Sequence, residues 1–156
     1  MRISARLRLA VTIGSIAAAW SGASASTPKF QVVFAPGLHA GPITGRLILA
    51  ITKAAQPEPR MLISPRGPLI VGLDLEQLAP NQPVTIDERA IGFPISLADL
   101  PPGDYYAQAI INVYERVHRA DGKTIWVHMN DGRVERFSIA PGNLYSDVQP
   151  VHVGTD

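Results

Sequence analysis

Leu100-Pro101-Pro102-Gly103-Asp104-Tyr105-Tyr106-Ala107-Gln108-Ala109-Ile110-Ile111-Asn112-Val113 is the stretch that decides the fold. Two prolines and a glycine make a tight turn, and the residues after it alternate at period two. Tyr105, Ala107, Ala109, Ile111 and Val113 fall on one face of an extended strand. Tyr106, Gln108, Ile110, Asn112 and Tyr114 fall on the other. The first set is the more apolar, so it is expected to face the core, and its two alanines predict a closely packed opposite sheet. Ala109→Asp is therefore expected to unfold the domain and Gln108→Asp to be far milder. A tyrosine just after such a turn predicts a tyrosine corner, in which the hydroxyl bonds back to nearby backbone.

The rest of the chain carries the same signature. Fourteen prolines and thirteen glycines punctuate short runs rich in β-branched and aromatic residues. Strands are predicted over residues 30–35, 43–51, 69–74, 84–86, 105–117, 123–129, 134–139 and 148–153. Only 73–78 and 94–100 could hold a helical turn. Two Asp-Gly steps, at Asp121-Gly122 and Asp131-Gly132, predict a three-stranded meander. With two-residue turns, Val117 would face Trp126 and Trp126 would face Phe137. Glu115 would then face His128, and His128 would face Glu135. A bulge at either turn would shift that register. The number and spacing of strands predict an all-β, immunoglobulin-like antiparallel β-sandwich.

Residues 1–25 have a different character. Arg2, Arg6 and Arg8 precede an apolar run ending near Trp20, and small residues close on Ala23-Ser24-Ala25. This is the three-part layout of a cleaved N-terminal signal peptide. The apolar run is shorter than a membrane span and is broken by Thr12, Gly14 and Ser15. The expected organisation is a leader at 1–25 and one β-sandwich domain at 26–156. Export would place it in the periplasm or medium of a bacterium, with no membrane association after cleavage. The whole chain carries 14 Lys+Arg and 13 Asp+Glu. Without the leader arginines the balance is 11 to 13, net −2. The basic residues are scattered, which argues against a nucleic-acid partner. Cysteine is absent, which removes disulfides, thiolate nucleophiles and Cys-ligated metals.

Catalytic and cofactor signals are missing as well. The sequence has no G-x-S-x-G elbow, P-loop, dinucleotide fingerprint or H-E-x-x-H. The predicted register points His118 and His128 to opposite faces, so no metal or other cofactor is expected. Glu115, His128 and Glu135 could pass for a carboxylate–histidine–carboxylate relay, but no nucleophile accompanies them. A weak cross-strand charge pair explains them more simply. Trp126 and Tyr114 could serve as stacking platforms, but packing of Trp126 against Phe137 and Val117 is the simpler reading.

Three motifs carry a resemblance. They are Pro141-Gly142-Asn143-Leu144-Tyr145-Ser146, the run Ile86-Asp87-Glu88-Arg89-Ala90-Ile91-Gly92-Phe93-Pro94, and residues 100–109. The opening strand at 30–34 and the Thr44-Gly45-Arg46 step fit the same arrangement. Together they resemble the N-terminal β-sandwich of bacterial exported esterases of the enterochelin-esterase-like class. In such proteins an α/β-hydrolase domain follows the last strand. The family's catalytic serine, acid and histidine have no matching positions here, so the resemblance implies a non-enzymatic accessory domain. Its expected role is docking on an α/β-hydrolase domain or another exported protein. The expected contact surface is Leu144, Tyr145, Val148, Val151 and Val153, around a final strand whose Pro150 suits an edge. The alternatives are a free-standing periplasmic carbohydrate- or protein-binding module and a hydrolase with an unrecognised site.

The leader reading has a direct test. N-terminal sequencing of the exported protein is expected to begin at Ser26, and intact Met1 in a cytoplasmic fraction would refute it.

Overall fold

The computed structural model describes residues 6–11, 27–128 and 137–154. It is an antiparallel β-sandwich with no α-helix among the described residues. The strands are β1 (Arg6–Val11), β2 (Phe30–Val33), β3 (Ile43–Thr52), β4 (Leu69–Leu78), β5 (Val84–Ile86), β6 (Ile91–Phe93), β7 (Gly103–His118), β8 (Thr124–His128), β9 (Leu144–Ser146) and β10 (Gln149–Val153). The main sheet runs β6-β4-β3-β7. Because β7 is 16 residues long, three short strands share its far side. β10 pairs with its start, β9 with its middle and β8 with its end. β2 and β5 pair as the opposing small sheet. β1 joins the two sheets, antiparallel to β2 and parallel to β9. This backbone segment lies within the stretch read as a leader, and its pairing was not expected.

The inner face is the predicted one. Tyr105, Ala107, Ala109 and Ile111 are buried in one cluster with Leu47, Leu49, Ile51, Val71 and Leu75 of the neighbouring strands. Phe30, Val32, Phe34 and Ile86 close the cluster from the small sheet. Val113 is half-buried against it. Burying these side chains supplies the main stabilisation of a domain that has no disulfide. The tyrosine corner is present: the Tyr105 hydroxyl donates to the Pro101 carbonyl at 2.8 Å. The Lys53 ammonium lies 3.5 Å from the centre of the same ring.

Four expectations are corrected. Residues 73–78 are strand, not a helical turn. Leu75 and Leu78 are both buried, a spacing of three that suggests a helix. The register shift in the β3–β4 pairing and the positive φ of 48° at Gln77 show a bulge instead. A bulge returns the chain to the same face after an odd number of residues. The Thr44 hydroxyl accepts from Gln77 on this bulge.

The β7–β8 register is also one residue off the expected one. Tyr114 faces His128, Glu115 faces Val127, Arg116 faces Trp126 and Val117 faces Ile125. The turn is longer than two residues. Arg119 N–H donates to Lys123 O, Gly122 N–H donates to Arg119 O, and Gly122 has φ 80°. This is a three-residue loop with a glycine bulge, and it moves every pair by one. Glu115 and His128 therefore do not meet, and His118 and His128 share a face. Residues 137–139, expected to be strand, form a 3-10 turn (Phe137–Ile139). Glu135 and the second Asp-Gly turn lie outside the described residues.

The outer face of the main sheet is the fourth correction. It is not broadly solvent-facing: Ala50, Gln108 and Ile110 are buried. The segment containing the 3-10 turn Pro59–Leu62 folds over them. Gln108, 1 % exposed, accepts from Arg60 N–H and donates to Glu58 Oε2 and to the Ser146 carbonyl. An aspartate at 108 would lose that amide donor and set a second carboxylate against Glu58. Ala109→Asp and Gln108→Asp are thus both expected to destabilise the fold by about 3 kcal/mol or more. Tyr105→Phe is expected to cost about 1 kcal/mol. Denaturant melts of the three variants check this, and a mild Gln108→Asp would count against the described burial.

Candidate outer-face groove

The outer face of the main sheet is built by strand alternation. Opposed residues share a face, so the register fixes its rows. Phe93 lies opposite Ile70, and Ala50 lies between Ile70 and Gln108. In the next row Ile91, Gly72, Ile48 and Ile110 follow one another across four strands. The third row is Asp74, Arg46 and Asn112. Beyond it stand Tyr114 and His128. The segment carrying Glu58 and Arg60 covers the Gln108 end of this face. The other end is an open groove of about 470 Å³.

Ile48, Ile70, Val71 and Gly72 line the groove from β3 and β4, with Asn112 and Tyr114 from β7. Phe93 and Ile91 flank it from β6, and Phe137 and His128 from the opposite side. Local sequence explains the walls. Asp87 accepts from the Arg89 backbone N–H and pairs with its guanidinium, with the shortest contact 2.7 Å. Hydrogen bonds from the Arg89 side chain, then from its backbone, hold the Asp87 carboxyl below the ordinary carboxylate range. This clasp closes the turn that delivers β6. On the other side His128 Nε2 meets Asn143 Oδ1 at 3.0 Å, and Asn143 Nδ2 donates to the Phe137 carbonyl. The Pro141-Gly142-Asn143 turn thereby fixes both His128 and Phe137.

The polar groups here are few. Arg46 Nη1 donates to Asp74 Oδ1 at 2.7 Å. Gly72 makes room for it, since a Cβ there would lie 3.3 Å from the guanidinium. Asn112 is 6 % exposed, and its buried Oδ1 has no hydrogen-bond partner among the described residues. An unpaired buried acceptor costs about 1–3 kcal/mol, and such groups are rare in stable folds. Of the groove's apolar side chains, Ile91 is 73 % exposed and Phe93 50 %. Trp126, 46 % exposed, faces Arg116 and so shares this face with Tyr114 and His128.

The contact surface expected at the C-terminal strand is not assembled. Leu144, Val151 and Val153 are buried in the sandwich core. Tyr145 is half-buried, with the Arg60 guanidinium carbon 4.2 Å from its ring centre, and Val148 is half-buried. Alternation turns the valines of β10 inward because its other face carries Pro150 and His152. The apolar surface lies instead at β6, a three-residue strand too short to stand out from periodicity. Its signal was Ile91-Gly92-Phe93 between a turn and a proline.

The histidines are dispersed among separate partners. His39 lies by the Gly41 carbonyl, His118 by the Thr124 hydroxyl and His152 by the Asp104 carboxylate. No group of three ligating side chains occurs among the described residues. Compared with models of known families, with curated proteins and with solved structures, the chain matches none of them.

The covered end of this face has a titration signature. The hydrogen bond from the Gln108 amide, then those from Arg60, hold the Glu58 carboxyl below its ordinary value of 4.5 against an opposing effect of burial. A depressed folded-state value means stabilisation that is intact above the ordinary glutamate range and fades as pH falls through the lowered value. In Gln108→Leu the Glu58 carboxyl is expected to titrate at higher pH than in the wild type. Carboxyl-carbon NMR titration reads this directly, and an unchanged midpoint would remove Gln108 as the cause.

Proposed function

We propose that this chain is a non-catalytic, exported β-sandwich module that docks on a partner protein through its outer-face groove. The partner favoured by the resemblance in Ile86–Pro94, residues 100–109 and Pro141–Ser146 is an α/β-hydrolase domain of an exported esterase. The observation that carries the reading is the pair of exposed apolar side chains beside the groove, Ile91 and Phe93. Exposed apolar surface at a groove of this kind marks interaction sites. The leader-like sequence of residues 1–25 supports export. The separation of Glu115 from His128 supports a binding role over a catalytic one.

A second reading is a free-standing binding module for carbohydrate. The aromatic rings of Tyr114, Phe93 and Phe137 along the groove favour it, since sugars stack on such rings.

Complex formation separates the two. The purified chain is expected to co-elute in size-exclusion chromatography with an exported α/β-hydrolase domain of the enterochelin-esterase-like class supplied in trans. Ile91→Asp should weaken that complex about tenfold or more while leaving the melting temperature near wild type, because Ile91 is exposed. A chain that ignores the hydrolase and is retained on a polysaccharide matrix would remove docking and promote the second reading.

A further inference from the structure

Strand β1 joins the two sheets, and its residues lie in the segment that reads as a cleaved leader. Its backbone starts in the main sheet, where Arg6 and Leu7 run parallel to Tyr145 and Ser146 of β9. It continues in the small sheet, where residues 8–11 run antiparallel to β2. The other neighbour of β2 is β5, and that of β9 is β7. Each therefore relies on β1 for one of its two edges. The register sets Leu9 opposite Val32 and Val11 opposite Phe30, and both Phe30 and Val32 are buried. Cleavage after Ala25 would leave the two edges with unpaired N–H and C=O groups beside an apolar core. Only residues 26–29 would then precede β2, too few for a turn and a replacement strand.

A replacement must follow the course of β1. It must leave one sheet and enter the other between consecutive residues, as Leu7 and Arg8 do. A strand already held in a folded sheet cannot, because its own neighbour fixes its path. Every other described strand of this chain is held in that way, so a second folded copy fits poorly. A free extended segment can follow the path. Its main-chain hydrogen bonds would supply affinity, and apolar residues at alternate positions would meet the core. The sequence of β1, with Leu7, Leu9 and Val11 at alternate positions, shows the pattern that the edges accept. We propose that leader removal opens β2 and β9 as an acceptor for an extended, alternately apolar segment of a partner protein, which completes the sandwich in place of β1. This surface shares no residue with the outer-face groove, and the proposal rests on the export and cleavage in the reading above.

The exported protein is the sample for the test, with its first residue read by N-terminal sequencing. The probe is a synthetic peptide of residues 5–12, titrated against the ¹⁵N-labelled protein. It is expected to shift the amides of β2 and β9, to leave those of β6 unmoved and to raise the melting temperature. Leu9→Asp in the peptide should weaken binding about tenfold or more, because its register position is opposite the buried Val32. Arg8→Ser, opposite the half-buried Val33, should change it by less than about threefold. Changes in the peptide leave the folding of the protein untouched. An unrelated peptide alternating threonine and valine should bind within about tenfold of the first, since the main chain supplies most of the affinity. Binding of the residue 5–12 peptide alone would overturn the partner assignment and make the site specific to β1. Self-association through β2 that neither peptide displaces would overturn it in favour of a second copy. A protein that begins at Ser26 and binds neither peptide would overturn the acceptor itself. Intact Met1 on the exported protein would overturn the cleavage reading, and this proposal with it, leaving β1 as the permanent strand.

Discussion

Strand β7 must satisfy two apolar faces and two sheet neighbours at once. Its backbone pairs with β3 along one side and with β10, β9 and β8 in turn along the other. Its inner side chains fill the sandwich core, and its outer ones are roofed at one end and open at the other. The sheet can do this because a short strand ends wherever the next begins, so no long edge is left bare. Ser146 secures one of these joints: its hydroxyl accepts from Ala109 N–H and donates to the Asp147 carbonyl. The Gln108 amide secures the roof to the same strand.

That arrangement creates the groove. The segment over Gln108 stops short of Asn112, so one face of one sheet is divided into a packed half and an open half. The packed half has its polar groups matched within the chain. In the open half Arg46 pairs with Asp74, and the Asn112 Oδ1 is buried without a hydrogen-bond partner among the described residues. Buried polar groups are normally satisfied, so Gln108 and Asn112, four residues apart on the same face, differ in how well their side chains are met within the chain.

Particular residues show how far the sequence could be read. The alternation of Tyr105 to Val113 and the turn before it were enough to place the inner face and the tyrosine corner, because both depend on neighbours close in the chain. Bulges were not legible. Gln77 turns what looks like a helical leucine spacing into strand, and Gly122 shifts a whole hairpin by one residue. In each case a single backbone dihedral, invisible to side-chain pattern, decides which residues face each other. Gln108 misleads for a related reason: a polar residue on an alternating strand reads as solvated, and only the roof above it makes it core.

The sequence by itself determined the all-β class, the inward face of β7 and the local turns, since period-two alternation and proline–glycine punctuation act over a few residues. It did not determine which apolar side chains remain outside. Leu144, Val151 and Val153 were expected at the surface and lie in the core, while Ile91 and Phe93 lie outside. All five are equally apolar. Their fates differ because burial depends on which layers the chain brings over each face, and that is settled by contacts between residues far apart in sequence. The tertiary structure alone therefore decided which of these apolar side chains stay exposed.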